Sequence, residues 1–321
     1  MLLTKTPLRV SFFGGGSDLP SYYNTHPEGL CVSTTIDSFI YMALNQCVAN
    51  HIKVVYSALE LVTELDDVRH SRVRAGLSHF GIKSNIEICS FSDIPHKGTG
   101  LGSSSTFTVG LLKALYWMKF KRTIGPEDLA ELAAYIEIHR CAERIGKQDQ
   151  YAAAFGGFKA YYFHKDGVVV RPVVMDPATK IELQDHLIYI NTGISRKAHL
   201  VLEKQQAQVG NGNTLTELVE MAKHSLTLLE DGKVNDFGRL LHDSWLYKKK
   251  LGGVTNATID EIYETAINAG ALGGKVLGAG GGGYMMFYVP RTKKGHVLDA
   301  LKYYEYRDFN FYNKGSTLEY V

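Results

Sequence analysis

The sequence predicts an α+β protein of two domains, and three features carry that expectation. Short runs rich in β-branched and aromatic residues concentrate in the first half, and long helical patterns in the second. A length of 321 residues suggests two domains, or one large one, and apolar residues, 45% of the total, supply core material throughout. The 32 glycines are not spread evenly but gather at positions 14–16, 98–102 and 273–283. The polar stretch 176–185 is the expected boundary, giving domains at 1–180 and 181–321.

Along the chain, the apolar run 8–13 stops at glycine and reads as a strand. Residues 29–44, rich in Val, Ile, Thr and Tyr, read as two strands or one bent strand, and 51–57 as another. Residues 68–80 suggest a basic helix, and 85–90 alternates apolar and polar residues as a strand does. The segment 107–120 has helical spacing. Pro126 opens a further helix, with Leu129, Leu132, Ala133 and Ile136 on one face and its end near Gly146. Strands at 157–163 and 168–174 turn at Lys165-Asp166-Gly167, and 186–191 is another strand. Helical patterns then cover 196–209, 214–230, 235–250 and 260–269. The stretch GALGGKVLGAGGGGYMMFYV reads as turn, strand, glycine loop and strand.

Composition narrows the function classes. With 35 Lys and Arg against 33 Asp and Glu, the net charge is +2, without the basic excess of a general nucleic-acid binder. No apolar run reaches the roughly 18 residues of a membrane span, and the opening MLLTKTPLRV is too short and polar for a secretory leader. Cys31, Cys47, Cys89 and Cys141 form no CxxC pair, which argues against a zinc site and fits reduced thiols in a cytoplasmic protein.

Glycine admits positive φ and lets a ligand approach the backbone, so three separate clusters suggest several backbone segments converging on one ligand. In PHKGTGLGSSS, residues 95–105, a strand leads into glycines and hydroxyls and a helix follows at once. The first turn of such a helix offers free N–H groups and the positive end of the dipole, a natural phosphate site. Ser103, Ser104 and Ser105 add hydroxyls for phosphate or hydrated Mg²⁺; a serine N-cap after a tight turn is the competing reading. No GxxxxGK[ST] P-loop is present, and neither the first nor the second glycine cluster completes the dinucleotide fingerprint.

Three segments, PLRVSFFGGGSD (7–18), PHKGTGLGSSS (95–105) and GGKVLGAGGGGY (273–284), together resemble the GHMP kinases, in that family's order and spacing. The middle segment matches the family's PxxxGLGSS signature, and the resemblance covers essentially the whole chain. It implies a ribosomal-S5-like N-terminal domain and a ferredoxin-like C-terminal domain with extra helices. It also implies ATP in the cleft between them, its phosphates along Lys97, Gly98, Gly100, Leu101, Gly102, Ser103, Ser104 and Ser105. Asp149, in GKQDQ, resembles the family's catalytic aspartate, a base or orienter of the attacking hydroxyl; a cap following a helix is the alternative. Arg9 falls where the family carries a Lys or Arg that helps activate the acceptor or stabilises developing charge, the alternative being a surface charge on a strand. Ser104 and Glu137 map onto the family's Mg²⁺ ligands, the alternative for Glu137 being an exposed ion pair with Arg140 or Lys147. Asp18 matches the aspartate that binds substrate hydroxyls in the sugar kinases, or else caps a turn. Gly15, Gly16 and Ser17 beside it, with Gly281 and Gly282 from the third segment, would complete the acceptor site.

Galactokinases typically read GEHTD where this chain has Gly14-Gly15-Gly16-Ser17-Asp18, so the hexose-gripping Glu and His are absent and a larger acceptor has room. TPLRVSFFGGGSD together with GKQDQYAAAFGG is more similar to the bacterial heptose kinases, which phosphorylate the anomeric hydroxyl of D-glycero-D-manno-heptose 7-phosphate. A phosphorylated acceptor needs a second cationic pocket, for which Arg196, Lys197 and Lys248 to Lys250 are candidates; the lysine run could equally be a solvated helix end. The opening FFGGGSDLPSYY departs from the LAGGGTD of those kinases, which keeps a fucose-type kinase open. A mevalonate-type kinase and a non-catalytic sensor of sugar and ATP are the remaining alternatives.

Overall fold

The computed structural model of the chain describes residues 1–94, 98–195 and 212–320. β1 (Leu2–Phe13) leads through a short helix, α1 (Pro20–Tyr23), into β2 (Gly29–Gln46). β2 is one continuous 18-residue strand, and shifts in its register against β1, between Pro7 and Arg9 and between Ser11 and Phe13, mark where the pair bends. β3 (Ile52–Val55), β4 (Leu59–Val62), α2 (Ser71–Phe80) and β5 (Ile86–Ser92) follow. His70 caps α2 by accepting from the Val73 N–H, and Gly81, at φ 68°, ends it.

α3 (Ser103–Phe120) starts at the glycine loop and packs onto β1 at Gly110, where a side-chain carbon would come within 2.8 Å of Thr6 Oγ1. α4 (Pro126–Ala134) runs into a single π-helical turn, Tyr135–Arg140, and stops there rather than near Gly146. A new helix, α5 (Gln148–Phe155), puts Asp149 in its first turn, not after a helix. The hairpin β6 (Phe158–His164) and β7 (Gly167–Pro172) turns at the expected place.

The stretch expected as a linker is a helix, α6 (Pro177–His186). Asp176 caps it, accepting from the Thr179 N–H at 2.9 Å, and Pro177 opens it. Its polarity reflects a helix that buries only Thr179 and Leu183. After β8 (Leu187–Asn191) come α7 (Gly212–Glu230), α8 (Val234–Lys249), α9 (Ala257–Asn268), β9 (Gly273–Val276), β10 (Tyr284–Tyr288), α10 (Lys294–Ala300) and β11 (Glu305–Arg307). The helix expected at 196–209 lies outside the described residues.

β8 to β11 form a four-stranded sheet in the order β11-β8-β10-β9. β10 is buried on both faces: Tyr284, Met286 and Tyr288 join the large core shared with the first sheet, while Met285 and Phe287 meet Trp245, Ile259 and Ile262. The chain then returns to the first sheet. β12 (Phe311–Tyr312) pairs with β2 and β13 (Thr317–Tyr320) with β1, completing nine strands. The first structural unit therefore includes residues that a simple division at 180 assigns to the second. Lys275 Nζ on β9 donates to Phe12 O on β1 at 2.7 Å and ties the two sheets together beside the glycine loops. Among the described residues, no helix is long and apolar enough to cross a membrane.

Candidate active site

The site begins with backbone. Gly98, Gly100 and Gly102 have φ of 74°, 77° and 78°, a region that L side chains avoid. Gly102 precedes α3 and no side chain caps that helix, so its first-turn amides have no side-chain partner. The serine N-cap is not formed. Ser103 Oγ lies 3.2 Å from Thr99 Oγ1, Ser104 is exposed, and Ser105 turns into the core. Leu101 is fully buried; it contributes its carbonyl, which accepts the Arg9 N–H at 3.1 Å. Lys97, expected on this loop, lies outside the described residues.

Arg9 and Asp149 form the centre. Arg9, only 4% exposed, donates through Nε and Nη2 to the two oxygens of Asp149, each at 2.8 Å. Its Nη1 donates to Gly100 O at 2.5 Å. This two-point grip fixes the carboxylate plane, and the third bond sets it against the glycine loop. Asp18 lies alongside. Its Oδ1 accepts from Gly16 N–H at 3.0 Å and its Oδ2 from Gln148 N–H at 3.2 Å. A side-chain carbon on Gly146 would overlap the Asp18 carboxylate, so glycine is required there. Burial, and then the negative Asp149, push the Asp18 carboxyl above the usual carboxylate range.

The third glycine cluster packs directly on the second. A side-chain carbon on Gly283 would lie 2.5 Å from the carbonyl oxygens of Gly98 and Thr99, and one on Gly278 would lie 2.9 Å from Gly100 Cα. The Tyr284 N–H donates to Thr99 O at 3.0 Å. We expect Gly278→Ala, at φ 68°, to cost about 1–3 kcal/mol and to weaken ATP binding, as read by thermal melts with and without nucleotide. Wild-type behaviour in both would mean that this contact does not shape the loop.

Several residues expected at the acceptor sit elsewhere. Gly281 N–H donates to Val254 O at 2.7 Å, and a carbon on Gly282 would be 2.5 Å from Ile194 O, so both back onto protein and support the loop from behind. Ser17 is fully buried, its Oγ donating to Gly14 O at 2.8 Å and accepting from Leu30 N–H at 3.0 Å, which makes it a staple of the turn. Gly15 and Gly16 remain beside Asp18, Gly15 facing Lys248 and Gly16 facing Leu215. Arg196 and Lys197 lie outside the described residues.

Glu137 is neither the exposed ion pair nor an available metal ligand. It is completely buried on the π-helical turn and accepts from Arg72 Nε at 2.8 Å, Ser105 Oγ at 2.8 Å, Thr108 Oγ1 at 2.7 Å and Gln150 Nε2 at 2.5 Å. Those donors fill the lone pairs of a carboxylate. The Glu137 and Ser104 pair therefore does not fit Mg²⁺ as it stands, because one is saturated and the other points to solvent. Among the described residues, no group of three or more His, Cys, Asp or Glu could hold a metal ion. Arg72 and Gln150 were not singled out by sequence reading. The glutamines flanking Asp149 carried the signal: Gln148 Nε2 donates to Ser11 Oγ at 2.7 Å, and Gln150 reaches Glu137.

Comparison with known proteins gives the family. The model of the GHMP kinases N terminal domain matches residues 50–157, and that of the GHMP kinases C terminal region matches 225–306. A D-glycero-alpha-D-manno-heptose 7-phosphate kinase of Campylobacter jejuni is 30% identical over 97% of this chain and 97% of its own. The chain belongs to the GHMP kinases. The crystal structure of a D-glycero-D-manno-heptose 1-phosphate kinase from Bacteroides thetaiotaomicron superposes on this GHMP kinase with a TM-score of 0.83 at 26% identity, covering 100% of this chain and 99% of that one. A mevalonate kinase structure, 18% identical with a TM-score of 0.75 over 98% of this chain and 100% of its own, shares the fold. As a GHMP kinase the protein is a phosphotransferase of a family that takes its phosphoryl group from ATP.

Proposed function

We propose that this GHMP kinase transfers the γ-phosphoryl group of ATP to the anomeric hydroxyl of D-glycero-D-manno-heptose 7-phosphate, giving the 1,7-bisphosphate. The observation that carries the reading is the Asp149 carboxylate, held at two points by Arg9 and, through Arg9 Nη1, set against Gly100 of the phosphate loop. The loop amides and the α3 dipole hold the ATP phosphates. Arg9 orients Asp149, and Asp149 takes the proton of the attacking hydroxyl as the acceptor oxygen bonds to phosphorus. Asp18 holds sugar hydroxyls in the space left open by Gly15 and Gly16. The heptose acceptor is supported by the Campylobacter and Bacteroides relatives. The four cysteines are free thiols, in keeping with a cytoplasmic reaction.

A fucose-type sugar 1-kinase is the second reading. It is favoured by 25% identity to the bifunctional fucokinase/GDP-fucose pyrophosphorylase of Arabidopsis thaliana over 91% of this chain and 30% of that protein. Incubation with ATP, Mg²⁺ and a panel of heptose 7-phosphate, free heptose, fucose, galactose and mevalonate decides between them. We expect heptose 7-phosphate to give the highest kcat/KM, with ³¹P NMR placing the new phosphate at the anomeric carbon. Turnover of fucose without any heptose phosphate would move the assignment to the second reading, turnover of mevalonate alone to a mevalonate-type kinase, and turnover of none of the panel would favour a non-catalytic sensor.

A further inference from the structure

The three lysines at the end of α8 have different fates. Lys249 Nζ pairs with Asp260 at 2.8 Å, and Lys250 Nζ sits 3.7 Å over the Tyr247 ring. Both behave as a solvated helix end would. Lys248 turns inward and is only 6% exposed. Its Nζ donates to Gly278 O at 3.2 Å, and it has no other hydrogen-bond or ion-pair partner among the described residues. An ammonium has three protons to place, so most of its donor capacity is unused. Burial lowers the lysine's pKa below the ordinary value, Asp18 and Cys31 draw it back up, and Arg9 lowers it again. A buried cation so poorly supplied with acceptors is costly and calls for an explanation.

Its position supplies one. A side-chain carbon on Gly15 would lie 3.5 Å from Lys248 Nζ, so the first glycine loop leaves that side of the ammonium open. Gly278, its carbonyl partner, packs on Gly100, whose own carbonyl accepts from Arg9. The ammonium thus stands between the acceptor side, with Gly15 and Asp18, and the phosphate loop. Arg9 is occupied elsewhere, with Nε and Nη2 on Asp149 and Nη1 on Gly100 O. Lys275, also buried, spends one proton on Phe12 O between the two sheets; the cation with protons to spare that faces Gly15 is Lys248.

We propose that Lys248 is a further catalytic residue, whose ammonium takes up the charge on the phosphoryl oxygens as the group passes from ATP to the acceptor. This rests on the kinase reading above. In the step, the acceptor oxygen forms a bond to the γ-phosphorus and the bridging P–O bond to ADP breaks, ADP leaving with the electron pair. The acceptor proton goes to Asp149, and Lys248 keeps its own protons throughout.

The test measures Lys248→Met and Lys248→Arg in the full chain, with ATP and whichever sugar the wild type phosphorylates, and with ATP alone for hydrolysis by water. We expect Lys248→Met to lower kcat by about 10²–10³-fold, with both KM values within about threefold, and Lys248→Arg to recover part of the loss. Lys248→Met should melt at or above the wild-type temperature, because it removes an unpaired buried charge. If it fails to fold, Gly15→Ala decides, since its methyl reaches Nζ at ordinary contact distance and closes the open side; a kcat fall of about tenfold or more is expected. A kcat within about threefold of wild type in the folded variant overturns the proposal, as does a raised acceptor KM at unchanged kcat, which would mark ground-state binding. A wild type that transfers phosphoryl to neither sugar nor water overturns this proposal and the kinase reading together. A working wild type with an unaffected Lys248→Met overturns this proposal alone.

Discussion

Asp149→Asn is expected to lower kcat by about 10²–10⁴-fold while ATP binding stays within a few-fold of wild type. The substitution removes an oxygen of the carboxylate proposed to take the acceptor proton and replaces one acceptor for Arg9 with an NH₂ group that faces it as donor to donor. Arg9 is almost completely buried, with a 5% exposed side chain, so losing half of its grip also lowers the melting temperature. Steady-state kinetics, a thermal melt and nucleotide titration separate these effects. A variant that binds ATP normally and turns over within about tenfold of wild type would remove Asp149 from proton transfer.

Glu137→Ala is expected to cost about 3–5 kcal/mol of stability, measured by denaturant unfolding at neutral pH. It leaves Arg72, whose side chain is 17% exposed, paired only with Glu143, strands the buried Ser105 hydroxyl and the Gln150 amide, and leaves the Thr108 hydroxyl only its longer bond to Ser104 O at 3.2 Å. Ser105 and Thr108 belong to the helix behind the phosphate loop and Gln150 to the helix that carries Asp149, so the carboxylate clasps the two halves of the reaction centre. A loss of activity with full stability, restored by raising Mg²⁺, would instead return Glu137 to metal binding.

The parts of the site that the sequence makes legible depend on local backbone demands. Gly98, Gly100 and Gly102 need positive φ, and no other residue type meets that demand as easily. Arg9 and Asp149 follow from the motif segments around them, although they lie far apart in the chain and only folding joins them. Other parts depend on which way a helix is turned. Lys248, Lys249 and Lys250 are chemically identical, yet the buried stripe Val234, Phe237, Leu241, Trp245 continues to Lys248 and to neither of the others. That periodicity separates the buried lysine from its neighbours. Glu137 is harder to read, because its helix changes to a wider winding just before it and shifts the face it presents. α6 reads as a linker because a helix with two buried residues leaves a mostly polar sequence. β12 and β13 are short and at best half-buried, so they carry too little alternation to be seen without their partners.

The pairing of Leu2 with Tyr320 has a consequence for how the molecule comes together. The four-stranded sheet and its helices are spliced into the nine-stranded one, much as a clause is set within a sentence that resumes after it. The first sheet holds no complete set of strands until everything between β1 and β13 has been traversed. Such long-range pairing slows folding, and the first sheet closes only once the inserted segment has been made. β13, which borders β1, the strand carrying Arg9, is thus the last to be made.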